Sequence, residues 1–156
     1  MKRKLIISLF IALFLIFFAY QAIQNVNPEN HITETEWVPF EKAFGIASAE
    51  SKYLLLDIYE IGCKFCRAME REVYPSDPVV AVMDRFYIPV RLDGRSKDLI
   101  TFMGEEMTEE EFALKMGVTA YPYTVVMRPD GSVVDSQRGY MDTLTFTRWL
   151  RSLISG

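Results

Sequence analysis

The chain has 156 residues, 50% of them hydrophobic and 24% charged, enough for one compact domain with its own core. Its net charge is −4; all 21 acidic residues lie beyond residue 28, whereas three of the 17 basic ones lie before it. So acidic a remainder argues against binding nucleic acid or adhering to anionic lipid, and two cysteines in all exclude a wider disulfide framework.

Lys2, Arg3 and Lys4 precede an uncharged run, residues 5–23, made almost wholly of Leu, Ile, Phe and Ala. A basic start followed by an apolar core is an export signal. Small residues at the two positions before a cut are missing, because Ala19 and Ala22 are spaced one residue too far apart. At about nineteen residues, the run is just long enough to cross a hydrocarbon core of ~30 Å as a helix. The expectation is an uncleaved signal anchor over residues 1–23 in a bacterial inner membrane. The alternative is a cleaved signal peptide and a soluble periplasmic protein. With positive charge only on the N-terminal flank, the start stays in the cytoplasm and the rest is exported. A buried core helix is excluded because the run has no polar face. Residues 24–36 are polar, contain Pro28 and read as a linker; residues 37–156 read as the folded domain.

Within that domain, residues 39–52 read as a helix, with Trp37, Phe40 and Phe44 supplying apolar contacts. Residues 53–59 form a strand too apolar to have a wet face, hence central in a sheet covered on both sides. A helix follows Cys63 and ends before Pro75. Asp77-Pro78 looks like an N-cap and a first-turn proline for a helix over 79–86. Residues 87–92 are a second strand, 99–103 a short extended piece, and Gly104 a turn; the stretch 95–111 has room for an extra hairpin near the site. Thr108-Glu-Glu-Glu111 matches a capping box for a helix that stops at Gly117. Strands at 123–128 and 132–137 are joined through Pro129-Asp130-Gly131. Asp142 or Thr143 opens a last helix whose apolar face includes Leu144, Phe146, Trp149, Leu150 and Leu153. The order α, β, α, β, α, β, β, α suits a central mixed sheet between two helical layers.

The two cysteines, Cys63 and Cys66, stand two residues apart where the buried strand gives way to helix-forming residues. A cysteine at a helix start meets unpaired N–H groups and the positive end of the dipole, which stabilise a thiolate. Such a thiolate, next to a second thiol, can attack a disulfide and then be released by its neighbour. Zinc needs four ligands, and the single histidine, His31, lies far upstream; a site shared between two chains stays open. Covalent haem wants a histidine directly after the second cysteine, where Arg67 stands. A permanent structural disulfide is the remaining alternative, although so short a loop restrains little of the unfolded chain. No flavin or nicotinamide motif is present, and no cofactor is expected.

Three groups of residues carry a family resemblance: the Cys63–Cys66 pair after its strand, Gly117-Val-Thr-Ala-Tyr-Pro122 leading into a strand, and Pro129-Asp130-Gly131 followed by Gly139-Tyr140 and an amphipathic helix. Over residues 37–154 the chain resembles the thioredoxin superfamily. Within it, the nearest likeness is to exported thioredoxin-like proteins with Gly-Cys-x-x-Cys, including those of the sulfur-oxidation and cytochrome-maturation type. The resemblance implies a three-layer α/β/α fold, Cys63 as nucleophile and Cys66 as resolving residue. It also implies a cis Pro122 lying against the cysteines, with Tyr121 bordering the substrate groove. Asp57, six residues before Cys63, matches the buried acid that moves a proton when Cys66 attacks; a solvated Asp57 is the alternative.

The chain also departs from the family pattern. Gly62 replaces the tryptophan usual before the first cysteine, which is expected to loosen that surface. Lys64-Phe65 contains neither Gly-Pro nor a histidine. Lys64 is either a charge that favours the Cys63 thiolate or simply a solvated residue, and Phe65 either covers the bridge or touches substrate. The resulting expectation is a membrane-tethered, extracytoplasmic thiol:disulfide oxidoreductase that reduces exported cysteine-containing proteins, with electrons supplied by a membrane donor protein. A disulfide oxidase or isomerase is one alternative. A redox-sensing binding module at a membrane complex is the other.

Overall fold

Alternation of side chains along one strand organises the whole domain. In a computed structural model, which describes residues 11–18 and 35–154, strand β1 (Tyr53–Tyr59) turns Leu54, Leu56 and Ile58 to one face and Leu55 and Asp57 to the other. All five are buried, so β1 lies centrally, as its composition requires. It pairs in parallel with β2 (Tyr87–Asp93), from Tyr53 opposite Tyr87 to Tyr59 opposite Asp93. On its other side it pairs antiparallel with β5 (Tyr123–Met127), and β6 (Val133–Arg138) closes the sheet in the order β2-β1-β5-β6. The mixed sheet expected from the sequence is present.

Helix α1 (Phe40–Glu50) packs Phe40, Ala43 and Ala47 against Leu54, Leu56 and Ile58. Between β2 and β5, β3 (Leu99–Phe102) and β4 (Glu105–Thr108) form a separate antiparallel hairpin, the extra hairpin expected over 95–111. Its tip, Met103-Gly104, has φ of 51° and 83°, the signature of a tight primed turn. Ile100, Phe102 and Met107 join the same core as Phe112 of α4 (Glu109–Lys115). The expected capping box holds: Thr108 Oγ1 accepts from Glu111 N at 3.1 Å, and Glu111 Oε2 accepts from Thr108 N at 2.8 Å.

The second face is covered by α2 (Lys64–Ala68), α3 (Asp77–Phe86) and α5 (Thr143–Ile154) around Leu55 and Val126. Three expectations change here. The cysteine helix passes at Met69–Val73 into a π-helical turn, where Tyr74 N bonds to Met69 O at 3.0 Å. That wider turn keeps Met69, Val73 and Tyr74 all buried on one side. Ser76, not Asp77, is the extended residue before α3, and its hydroxyl donates back to Val73 O at 2.5 Å. Leu144 is 60% exposed, because α5 faces the core through Phe146, Thr147 and Leu150, and Leu144 lies about 200° around from Phe146.

Residues 1–32 and 33–156 are separate units. Residues 11–18 are helical and exposed. Among the described residues no helix is long and apolar enough to cross a membrane. The remainder of the expected anchor, His31 and most of the expected linker lie outside the described residues.

Candidate active site

The sheet delivers Cys63 to the surface by way of a tight turn. Gly62 has φ +90°, a backbone region that side chains rarely adopt, so a glycine shapes this turn rather than loosening it. Cys63 then caps α2 in extended conformation, and its N–H donates to Glu60 O at 3.2 Å. Cys63 and Cys66 are joined by a disulfide with Cα atoms 5.3 Å apart. The two are unequal: Cys63 is half-buried and Cys66 is 2% exposed. Cys66 N donates to Cys63 Sγ at 3.0 Å, the contact that stabilises negative charge on that sulfur once the bridge is reduced. Lys64 and Phe65 between them are exposed.

Asp57 sits on the face of β1 turned toward this helix, 1% exposed. Burial pushes its pKa up to about 6; the Tyr74 hydroxyl and the Arg91 guanidinium pull it partly back, and Glu70 adds a little upward push. Arg91, opposite Asp57 in the parallel register, brings Nε to 3.3 Å from Asp57 Oδ2. The other two guanidinium nitrogens bind Glu70 at 2.5 and 3.2 Å, and the group stacks over Tyr59 at 4.2 Å. Tyr74 and Thr124 close the pocket. Its buried polar atoms, namely both Asp57 oxygens, the two hydroxyls and Arg91 Nε, lack well-aligned hydrogen bonds. Burial raises the Tyr74 phenol well above its ordinary range, so it stays neutral. Such a pocket favours a proton on Asp57.

The Tyr121–Pro122 peptide is cis, as the resemblance implies, and Pro122 is buried. It immediately precedes β5, whose first residue Tyr123 lies opposite Ile58, at the sheet end from which β1 leads to Cys63. Gly139 N donates to Pro122 O at 2.8 Å, and the next residue, Tyr140, brings its ring to 6.4 Å from that of Phe65. Phe65 therefore faces Tyr140, and both are exposed. Tyr121 is not simply open to a groove: its ring packs against the core, and its hydroxyl donates to Gly94 O at 2.8 Å. A groove of about 640 Å³ lies beside the Cys63 turn, lined by Tyr59, Glu60, Ile61, Arg91, Asp93 and Arg95 among others.

Sequence reasoning missed Arg91, Tyr74, Thr124 and Tyr140. Arg91 had a signal, since it is the one charge inside an otherwise apolar stretch of strand. Tyr74 had none, because its position depends on the π-helical turn.

A three-layer α/β/α fold with a bonded cysteine pair at a helix start and a cis proline heading the neighbouring strand defines a class, the thioredoxin-fold thiol:disulfide oxidoreductases. A family model of the thioredoxin-like domain matches residues 40–154, and the chain belongs to that family. The fold superposes on a thioredoxin from Thermus thermophilus with a TM-score of 0.63 at 18% identity, over 78% of this chain and 88% of that one. A disulphide isomerase from Xylella fastidiosa Temecula1 gives 0.56 at 18% identity, over 72% and 86%. The oxidised DsbD C-terminal domain of Neisseria meningitidis gives 0.53 at 19%, over 70% and 87%. At such identities the likeness is one of fold. No curated protein sequence matches the chain significantly.

Proposed function

We propose that the protein is a membrane-tethered, extracytoplasmic reductase of disulfides in exported proteins, anchored by residues 1–23 and joined through a linker at 24–36 to the domain at 37–156. The observation that carries the thiol–disulfide exchange is the unequal burial of the two bonded cysteines, with Asp57 buried on the strand that leads to them. In the reduced protein the Cys63 thiolate attacks a substrate disulfide, forming a mixed disulfide and releasing one substrate thiolate. Cys66 then gives its proton to the Asp57 carboxylate and attacks Cys63 Sγ, which frees the second substrate thiolate. Two electrons pass to the substrate, the Cys63–Cys66 bridge forms, and a membrane donor protein carrying a dithiol reduces it again. Pro122 shapes the groove and Tyr121 borders it. The direction of transfer is supported by Lys64-Phe65, which lacks the histidine of strong oxidants.

Cys66→Ser keeps the nucleophile and removes the residue that releases product, so covalent complexes with exported proteins accumulate, whereas Cys63→Ser traps none. The reverse pattern overturns the assignment. A reduction potential near ~−270 mV fits a reductase and one near ~−120 mV an oxidase. Partner binding that survives replacement of both cysteines, with no trapping by either single variant, supports a binding module instead.

A further inference from the structure

The residue before the cis proline is held from its far end by the loop that follows β2. After β2 the chain turns at Gly94, whose N–H donates to Tyr59 O at 2.8 Å and whose carbonyl accepts the Tyr121 hydroxyl at 2.8 Å. A Cβ at position 94 would stand 2.5 Å from Tyr121 Oη and 2.7 Å from Cε1, closer than atoms approach, and 3.0 Å from Ile58 Cγ2. Gly94 does not have the positive φ that reserves a position for glycine. Its side chain is missing because the Tyr121 ring fills the space. The next residue, Arg95, places its guanidinium 5.8 Å from the centre of that ring and its Nε 3.3 Å from Glu60 Oε2. Glu60 in turn accepts the Cys63 N–H on its carbonyl. Arg95 therefore touches both the turn that precedes the nucleophile and the ring that precedes Pro122. It also lines both grooves at this edge, the one of about 640 Å³ and a smaller one of about 250 Å³ bounded by Tyr121, Leu114 and Thr119.

We propose that Gly94 and Arg95 are positioning residues that act through Tyr121, holding the cis-proline loop at a fixed distance from the Cys63 turn and so setting the affinity for an extended, disulfide-bearing polypeptide without entering the sulfur exchange. The inference rests on the reductase reading and adds the substrate form, an extended chain rather than a small disulfide. A small disulfide needs only to reach the Cys63 sulfur. An extended chain must lie between the two loops, so it alone registers a displaced Tyr121 ring.

The test uses the full chain in detergent, with dithiothreitol as electron source, the uncatalysed rate subtracted, and two substrates: a short peptide closed by one disulfide, and oxidised glutathione. Gly94→Ala pushes the Tyr121 ring aside and forfeits about one hydrogen bond's worth of positioning, so KM for the peptide rises about fivefold while kcat stays within about twofold. Turnover of the small disulfide changes by less than about twofold. Arg95→Gln, at an exposed side chain whose loss leaves the fold intact, raises the peptide KM in the same sense. In a Tyr121→Ala background the obstacle is gone, and Gly94→Ala adds nothing further. An unchanged peptide KM in both single variants overturns the proposal. So does a loss confined to kcat, or an effect of Gly94→Ala undiminished in the Tyr121→Ala background. A wild-type chain that turns over neither substrate overturns the reductase reading itself; one that turns over both, with KM unmoved by the variants, overturns the clamp alone.

Discussion

Asp57 shows how one buried side chain ties stability to chemistry. Its native pKa of about 6 lies above the ordinary 3.8, so the folded state holds this proton more tightly than the unfolded chain does. The stabilisation is fully present below about pH 4 and disappears as pH rises through about 6, a loss of roughly 3 kcal/mol for a shift of this size. The cation facing the group, Arg91 from β2, stays ionised over that interval and leaves the sign unchanged. Asp57→Asn should therefore be the more stable form at pH 8, with its advantage shrinking toward pH 4. Denaturant unfolding of both oxidised forms across this range checks it, and a pH-independent difference would sink the account. Gly62 makes the opposite point. The sequence shows only that a bulky family residue is missing, whereas the φ of +90° shows why: Gly62→Ala should cost on the order of 1 kcal/mol in thermal or chemical unfolding.

At the scale of elements, features written in adjacent residues were legible and those that depend on packing were not. Thr108 and Glu111 satisfy each other's backbone donors across one turn, so four residues of sequence suffice to locate the start of α4. Thr108→Ala should accordingly cost about 1 kcal/mol of unfolding free energy, and a change below a few tenths would mean that hairpin packing, not the cap, fixes this junction. The same local logic placed a turn at Gly104, though with Met103 in the extended piece before it, and offered Asp142 or Thr143 as the start of α5; Asp142 Oδ1 accepts from Thr145 N at 2.8 Å. Residues 69–74 are different. Their composition fits an ordinary helix, and only the need to bury Met69, Val73 and Tyr74 together against the sheet widens the turn. Leu144 was misassigned for a related reason: one leucine adds hydrophobicity to a helix without saying which side of it faces the core. The cysteine pair and the cis proline were legible because chemistry limits them to few residue types. The Arg91–Tyr74–Thr124 surroundings of Asp57 became visible only once the strands were in register.

For the whole molecule, a reductase outside the cytoplasm must meet two demands: its thiols need a donor, and its domain must be kept where that donor is. An acidic domain has no electrostatic attraction to an anionic bilayer, so in the proposed function retention would fall to the apolar run at residues 5–23. As a helix, about nineteen residues at a rise of 1.5 Å would span roughly 28 Å, close to the ~30 Å hydrocarbon core. In that proposal Lys2, Arg3 and Lys4 would hold the start on the cytoplasmic side, and the spacing of Ala19 and Ala22 would offer signal peptidase no good site. A periplasm-dependent reporter fused after Gly156 should be active and a cytoplasm-dependent one silent, and the protein should remain with membranes after an alkaline wash. Replacing the three basic residues with glutamate should reduce the reporter's activity by removing the charge that orients the span. Recovery of a soluble form beginning near residue 23 would refute the anchor while leaving export intact. A fusion active only in the cytoplasm would refute both, and would put the cysteine pair in a compartment that keeps it reduced.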